Sequence, residues 1–340
     1  MQTPAALGYR FPAEWEPHAA TWLSWPHNPD TWPGKFEPIP AVWEELVRTL
    51  AEFEPVHILA GGESVMADAQ RRVGQLANVT LHDVPTNDCW ARDHGAMFLT
   101  GPLGTEPALI DWGYNAWGGK YPPFDLDDQV PRYVAEFTQR RRFDPGIILE
   151  GGAIDVNGLG AVLTTEQCLL NVNRNPQLTR PEVERYLREY LNVKKVLWLG
   201  GGIVGDDTDG HIDELARFVG PRTVVAAVED DPTDANFAPL AENLERLRSF
   251  TDQDDQPLEI VTLPMPMPKF FGEHRLPACY LNFYVANGVV IAPTFDDPAD
   301  SVALATLGTL FPTRQVRGIR ALDLIWGLGA FHCITQQEPA

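Results

Sequence analysis

The stretch Glu150-Gly-Gly-Ala-Ile-Asp-Val-Asn-Gly-Leu-Gly-Ala-Val-Leu-Thr164 contains the structural unit on which the fold is based. Apolar residues flank Asn157-Gly158, a dipeptide that favours the tight turn of a β-hairpin. Glu150 precedes the hairpin and is followed by two glycines, which let backbone approach another group closely. The stretch therefore predicts two strands joined by a turn, with a carboxylate at one end.

The same arrangement recurs along the chain beside other polar clusters. Further strand-turn-strand patterns occupy residues 97–110, 215–226 and 283–292. The polar residues beside the units, from Asp93 to Cys333 near the C-terminus, lie roughly 50 to 70 residues apart. We expect about five similar units in a mixed α/β fold. No low-complexity linker divides them, so residues 1–340 are predicted to form a single catalytic domain.

Helical patterns lie between the predicted hairpins. Apolar residues at helical spacing predict an amphipathic helix from Ile39 to Phe53, followed by a strand from Val56 to Ala60. Thr179-Arg-Pro-Glu182 is a capping box that begins a helix ending near Leu191. A third helix is expected over residues 234–250, and the aromatic, glycine-rich residues 111–124 are expected to form a loop or lid.

Composition limits the partners of the chain. Hydrophobic residues make up 44% of it, yet no run approaches the roughly 18 apolar residues of a membrane helix. The N-terminus lacks the pattern of a signal peptide, so a cytoplasmic location without membrane attachment is expected. With 47 acidic and 26 basic residues, the net charge of −21 would repel nucleic acid and favours a small cationic partner.

The four cysteines are widely spaced and contain no C-x-x-C pair, which predicts free thiols rather than disulfides or a zinc site. One of them, Cys333, lies in Ile325-Trp-Gly-Leu-Gly-Ala-Phe-His-Cys-Ile-Thr-Gln-Gln337, after two glycines and before polar residues. Such a cysteine is a candidate nucleophile, although most free cysteines are structural and buried.

His211-Ile212-Asp213 is a second candidate element. If these residues are extended, the imidazole and the carboxylate point to the same side while Ile212 enters the core. An acidic surface turn is an alternative interpretation. A metal site is another, but His-x-Asp without a third nearby ligand supports it only thinly.

Asp88-Cys-Trp-Ala-Arg-Asp93 is a third. Trp90 beside Asp93 could stack on a guanidinium and pair with it, whereas an ion pair of Arg92 with Asp93 or Asp88 is the structural alternative. A cysteine, a histidine and several carboxylates together suit attack on a guanidine, because a planar guanidinium offers five N–H donors and no acceptor. Cys333 would attack, and His211 would transfer protons, oriented by Glu150.

With these residues in place, the chain resembles the agmatine deiminase family, which is related to the bacterial peptidylarginine deiminases within the guanidine-modifying superfamily. The matching segments are Pro12-Ala-Glu-Trp-Glu-Pro-His18, Asn87-Asp-Cys-Trp-Ala-Arg-Asp93, Glu150-Gly-Gly152, Asn171-Val-Asn-Arg-Asn175, Asp206-Asp-Thr-Asp-Gly-His-Ile-Asp213, Tyr280-Leu-Asn-Phe-Tyr284 and His332-Cys-Ile-Thr-Gln-Gln337.

The resemblance implies a five-bladed α/β propeller (pentein) with pseudo-fivefold symmetry, no metal and no organic cofactor. It implies hydrolysis of agmatine to N-carbamoylputrescine and ammonia, in putrescine and polyamine biosynthesis, by a protein that often forms homo-oligomers. By position it makes Cys333 the nucleophile and His211 the acid and base. It assigns the guanidinium contacts to Asp93 and Asp213. By the same matching, Trp90 lines the pocket and Asp207 receives the distal amine of agmatine. Glu150 becomes the partner of His211 and the guanidinium.

One departure from the family pattern concerns the cysteine loop. The family usually shows Gly-Gly-Gly-Asn-Ile before the His-Cys pair, whereas this chain has Gly327-Leu-Gly-Ala-Phe331. Leu328 adds a side chain and Ala330 removes an amide, so the shape of the pocket and the guanidine it accepts are open. The alternatives are deimination of peptidyl-arginine or another guanidine, and guanidine binding without turnover.

Overall fold

The computed structural model describes residues 2–340, which form an α/β fold. The strands are β1 (His18–Ser24), β2 (Val56–Leu59), β3 (Val79–His82), β4 (Met97–Leu99), β5 (Ala108–Ile110), β6 (Arg141–Phe143), β7 (Asp155–Val156), β8 (Ala161–Thr165), β9 (Lys195–Leu199), β10 (Ala216–Phe218), β11 (Thr223–Val228), β12 (Glu259–Pro264), β13 (Lys269–Phe271), β14 (His274–Leu276), β15 (Tyr284–Ala286), β16 (Val289–Thr294), β17 (Gln315–Arg320) and β18 (Gln336–Pro339). The helices are α1 (Ile39–Ala51), α2 (Glu63–Val73), α3 (Ala91–His94), α4 (Ala116–Gly119), α5 (Val130–Thr138), α6 (Glu166–Leu169), α7 (Arg180–Leu191), α8 (Phe237–Ser249) and α9 (Asp300–Leu310). Among residues 2–340, each helix falls short of the length or the apolar character needed to cross a membrane.

The same pattern of strand pairing occurs in five sheets. In each, two antiparallel strands are extended by a strand that runs parallel to the second of them. The sheets are β4-β5-β6, β7-β8-β9, β10-β11-β12, β15-β16-β17 and β18-β1-β2, the last with β3 added. The hairpins predicted around residues 97–110, 153–164, 215–226 and 283–292 are all present.

The fifth of these sheets joins the two ends of the chain. Strand β18 pairs antiparallel with β1, and Nε1 of Trp22 donates a 2.7 Å hydrogen bond to Oε2 of Glu338. Cys333 lies in the turn just before β18. The N-terminal strand therefore helps to fix the backbone that carries the candidate nucleophile.

The helices begin and end close to the predicted residues. Helix α7 has the capping box, with Thr179 N donating to Oε2 of Glu182 at 2.7 Å. Helix α8 begins at Phe237 rather than Asp234, because the Asp234 carboxylate accepts from Asn236 N and pairs with Arg275 at 2.7 Å before the helix starts. Asp234 thus belongs to the turn.

Residues 111–124 form the predicted loop, with α4 as its one short helical turn. Within that turn Ala116 and Trp117 have φ values of 51° and 55°, which residues with a side chain rarely adopt. The loop also buries Tyr114 and Trp117. It is therefore a tightly packed segment with a strained backbone.

Candidate active site

The Cys333 thiol faces an amide and a carboxylate. Its Sγ accepts a hydrogen bond from Nδ2 of Asn282 at 3.1 Å and lies 3.7 Å from Oδ2 of Asp213. Burial raises the pKa of the thiol well above its ordinary value, and the charges of Asp213 and Asp93 raise it further. The four cysteines are free, as predicted, but Cys333 is only 6% exposed, so its polar neighbours do not open it to solvent.

His211 is a buried imidazole. It immediately precedes a 3-10 turn, Ile212–Glu214, so residues 211–213 are not extended, which was one of the conformations considered for them. Its Nδ1 lies 3.7 Å from Oδ1 of Asp93. Burial lowers the pKa of His211, but the charge of Asp93 and the nearby Cys168 thiol outweigh this effect and raise it well above its ordinary value.

Asp93 is fixed at both carboxylate oxygens. Oδ1 accepts from the backbone N–H of Gly152 and Oδ2 accepts from Nε1 of Trp117, each at 2.9 Å. Burial raises the pKa of Asp93; His211 opposes this, while Asp213 and Glu150 add to it. Several buried acids thus lie close together, an arrangement that a bound cation would stabilise.

Gly152 marks the point at which three predicted site residues meet. A Cβ built on it would lie 2.5 Å from Nδ1 of His211, 2.9 Å from Oδ1 of Asp93 and 3.1 Å from Oδ2 of Asp213. Because Cys333 contacts the same oxygen of Asp213, the thiol belongs to this cluster too. Four of the residues predicted from the sequence, Cys333, His211, Asp93 and Asp213, therefore lie close together.

Glu150 lies beside His211 but bonds to a different residue. Its Oε1 accepts from Nε of Arg174 at 2.7 Å, in an ion pair that is fully buried on both sides. Its Oε2 has no hydrogen-bond partner within residues 2–340, and neither has either ring nitrogen of His211. Glu150 therefore makes no hydrogen bond through which it could orient His211, the role predicted for it from the sequence.

Among residues 2–340, Glu150, Cys168 and His211 form a group that could hold a metal ion. One ligand atom from each lies within 4.8 Å of the others, and all three side chains are buried. The set differs from the His-x-Asp pair considered from the sequence, since Cys168 replaces Asp213. The fixed positive charge of Arg174 on Glu150 opposes a cation at this position.

Trp90 and Asp207 contact different residues of the loop 111–124. The Trp90 ring packs on Gly329 in the cysteine loop, where a built Cβ would come within 2.4 Å of it, and meets Trp117 edge to face at 6.5 Å. Asp207 is instead held by the outer part of the loop. Its Oδ1 lies 3.3 Å from Nζ of Lys120, and its Oδ2 accepts from the Tyr121 hydroxyl.

The structure adds residues to the site that sequence reasoning had not assigned. Asn282 holds the nucleophile loop, since its Oδ1 accepts from the backbone N–H of His332 at 3.0 Å and that of Cys333 at 3.3 Å. Trp117 and His332 contact the two candidate guanidinium-binding aspartates. Each of these three residues lies in a stretch noted in the sequence. Its role became visible only from its contact with a residue far away in the chain.

Arg92 takes neither of the partners considered for it. Its Nη2 lies 3.2 Å from Oε2 of Glu14 and its Nη1 donates to Oε1 of Gln337 at 2.7 Å. Asp93 and Asp88 are therefore not its ion-pair partners, and Asp93 faces the buried cluster instead.

The α/β fold of repeated hairpins places a buried thiol among carboxylates and an imidazole. This arrangement is that of an enzyme whose cysteine attacks a guanidine. The chain belongs to the Porphyromonas-type peptidyl-arginine deiminase family, whose model matches residues 10–339. An agmatine deiminase of Pseudomonas aeruginosa is 39% identical, over 99% of this chain and 97% of that protein.

Solved structures show the same similarity. The agmatine deiminase of Enterococcus faecalis is 33% identical with a TM-score of 0.95, covering 100% of this chain and 98% of that one. A variant agmatine deiminase of C. jejuni with substrate bound is 31% identical with a TM-score of 0.89, covering 98% and 96%. The similarity extends over the whole length of both chains.

Proposed function

We propose that this protein is a hydrolase that converts agmatine to N-carbamoylputrescine and ammonia. The convergence of the Cys333 thiol, His211 and two aspartates around Gly152 carries the proposal. The full-length similarity to agmatine deiminases supports this substrate over other guanidines. The burial of the thiol also favours a small molecule over an arginine within a polypeptide.

In the proposed mechanism, Asp93 and Asp213 hold the guanidinium. Oδ1 of Asp213 is buried and has no hydrogen-bond partner within residues 2–340, so it is available to a substrate N–H group. Trp90 lines the pocket. Asp207 receives the distal amine, which takes the place of the Lys120 ammonium that now lies beside it.

The thiol is activated by the substrate itself. Since neighbouring acids raise the pKa of Cys333, a guanidinium between those acids lowers it again, and the thiol gives its proton to solvent to become the thiolate. The sulfur forms a bond to the guanidinium carbon, His211 donates its proton to the departing nitrogen, and ammonia leaves. Water deprotonated by His211 then attacks the Cys-linked thiouronium. The C–S bond breaks as the hydroxyl proton of the adduct passes to the departing sulfur, which gives the ureido product and the free thiol. Glu150 makes no hydrogen bond to His211, so its proposed role is to accept from the guanidinium at Oε2, which has no hydrogen-bond partner within residues 2–340.

The repeated sheets support a larger architectural proposal. Five sheets with one pairing pattern, the last made from both ends of the chain, fit a closed five-bladed α/β propeller with pseudo-fivefold symmetry. Residues 1–340 would then form a single catalytic domain. We also propose that the enzyme works in the cytoplasm without a metal or organic cofactor, as a homo-oligomer, and does not bind nucleic acid or membranes.

Ammonia release from agmatine, arginine and peptidyl-arginine tests the proposal. We expect turnover of agmatine alone, abolished by Cys333→Ala and retained by Cys89→Ala, a matched change of a buried thiol. A thiouronium adduct on Cys333 should be found by mass spectrometry after acid quenching. Turnover of none of the three would favour a binding protein, and loss of activity with a chelator would favour an ion at Glu150, Cys168 and His211.

A further inference from the structure

The proposed mechanism does not use the N-terminal segment Pro12–His18, yet one side chain of this segment, Glu14, reaches toward the site. Glu14 is buried, and its Oε1 lies 2.9 Å from Nη2 of Arg217 and accepts from Val285 N at 2.8 Å. Its Oε2 lies 3.2 Å from Nη2 of Arg92. Burial raises the pKa of Glu14, but Arg217, His332 and Arg92 outweigh this and hold it well below its ordinary value. Glu14 is therefore a carboxylate.

His332 lies between this carboxylate and a residue of the site. Its Nε2 is 2.8 Å from Oε2 of Glu14, and its Nδ1 is 2.7 Å from Oδ2 of Asp213. Burial raises the pKa of Asp213, whereas the hydrogen bond from His332 and nearby cationic groups lower it, and the net effect is a lowered pKa. An ionised carboxylate can only accept hydrogen bonds, so each ring nitrogen of His332 must donate. The ring satisfies both contacts only as an imidazolium.

The contacts leave Asp213 with one fixed and one free oxygen. Oδ2 is held by His332, by Nδ2 of Asn282 at 3.2 Å and by the Cys333 thiol at 3.7 Å. Oδ1 has no hydrogen-bond partner within residues 2–340. The imidazolium thus sets the direction of the carboxylate and its charge, and leaves an oxygen for the substrate.

We propose that His332 is a positioning residue that holds Asp213 ionised and aimed at the guanidinium, and that Glu14 acts through it by keeping the ring doubly protonated. The inference rests on the proposed function, because it gives Asp213 a guanidinium to bind. Glu14 and Asp213 contact the ring, and the Cys333 thiol contacts the same oxygen of Asp213. Arg92 and Arg217 also contact Glu14.

Kinetics of Glu14→Gln and His332→Gln test the proposal. His332→Gln removes the cationic partner of Asp213, and Glu14→Gln removes the carboxylate that keeps this partner protonated. In both variants the pKa of Asp213 therefore rises, and a higher pH is needed to ionise it. We expect KM for agmatine to rise about tenfold or more, with a smaller fall in kcat, and the acidic limb of kcat/KM to move up by about one pH unit.

His18→Gln is the matched control. His18 forms another buried pair with a glutamate in the same part of the chain, with Nδ1 3.2 Å from Oε1 of Glu54. A purely structural role for such pairs would lower the Tm of all three variants alike. We expect His18→Gln to lower the Tm without changing KM or the pH profile. Wild-type KM and pH profile in His332→Gln would overturn the proposal.

A second measurement needs no variant. Nitrogen-15 NMR of the wild-type protein, with histidine labelled in the ring, should show a hydrogen on both ring nitrogens of His332 at neutral pH. A neutral tautomer there would overturn the inference even if the variants failed to fold. Absence of agmatine turnover by the wild type would contradict the proposed function instead, so the two failures are distinguishable.

Discussion

Nε1 of Trp117 donates a hydrogen bond of 2.9 Å to Oδ2 of Asp93, and so joins the loop 111–124 to the buried acids. The loop holds Trp117 and Ala116 at positive φ, a conformation that costs roughly 1–2 kcal/mol for each residue with a Cβ. Contacts such as this hydrogen bond, and that from Gly118 N to Oδ1 of Asn115 at 2.8 Å, must offset that cost.

We therefore expect Trp117→Phe to impair catalysis while leaving an aromatic ring in place. A hydrogen bond to a charged group contributes about 1.5–3 kcal/mol, so kcat/KM for agmatine should fall roughly 10- to 100-fold. Trp112→Phe is the control, because Trp112 lies in the same loop, is buried and donates to Sδ of Met97 instead. Equal losses in both variants in steady-state kinetics would contradict the interpretation.

The sequence predicted the repeated hairpins well because their signals are local. Asn157-Gly158 and the alternation around it predict the turn without knowledge of the rest of the chain. The candidate nucleophile and aspartates could be named from the chemistry of a guanidinium and from the family resemblance. His332 and Trp117 could not, because each acts through a partner far away in sequence.

The errors have the same origin. His211 and Asp213 would share a face if residues 211–213 were extended. The 3-10 turn Ile212–Glu214 instead brings Asp213 under His332, a contact that no local pattern contains. Arg92 likewise pairs with Glu14 across the chain rather than with its sequence neighbours.

Gly152→Ala should strongly impair catalysis. The new methyl group would lie within about 3 Å of His211, Asp93 and Asp213, so these groups must move apart. A displacement of about 1 Å can cost about 100-fold in rate, and we expect kcat to fall at least that far. Gly308→Ala is the control, because its new Cβ would have its nearest neighbour, Cγ2 of Val316, at 4.0 Å. Retained kcat in Gly152→Ala would show that the cluster is looser than described.

Substitutions at Leu328, in the cysteine loop that departs from the family pattern, should show how much its backbone conformation affects the stability of the protein. Its φ of 70° suits glycine, whereas a β-branched residue is strongly disfavoured there. We expect Leu328→Gly to change the free energy of unfolding by less than about 1 kcal/mol, since relief of strain offsets the flexibility that glycine adds to the unfolded chain.

Leu328→Val is the comparison variant and should lower the free energy of unfolding by about 1–3 kcal/mol. Urea denaturation measures both changes. If Leu328→Gly were the more destabilised of the two, the packing of the leucine side chain would outweigh its backbone strain. Agmatine turnover by Leu328→Gly would in addition show whether the side chain shapes the pocket.

The rate at which Cys333 is alkylated should depend on pH, and a neutral and a cationic reagent should show different pH dependence. Because burial, Asp213 and Asp93 raise the pKa of the free thiol, its alkylation by neutral iodoacetamide should be slow at pH 7 and accelerate with rising pH beyond the range of an ordinary cysteine. A cationic haloacetamidine, which can bind between the acids, should react much faster at pH 7. Equal rates for the two reagents at that pH would contradict activation by a bound cation.

The pair His57 and His82 should make stability depend on pH. Nδ1 of His57 lies 2.9 Å from Nε2 of His82, and the Trp22 ring stacks on both at centroid distances of 4.5 and 5.3 Å. One nitrogen must accept, so the pair cannot keep this contact when both rings are protonated. Burial and the neighbouring His57 lower the pKa of His82 to about 4, and burial lowers that of His57.

Since a histidine in the unfolded chain has a pKa near 6.5, the unfolded state binds protons before the folded one as the pH falls. Stability is therefore full above about pH 6.5 and declines toward pH 4. We expect His82→Gln, which keeps a hydrogen-bonding side chain but cannot titrate, to show a smaller fall in Tm between pH 7 and pH 5 than the wild type. His274→Gln, at an exposed position, should leave the wild-type fall unchanged. An equal fall in Tm for His82→Gln and the wild type would show that other groups control the acid response.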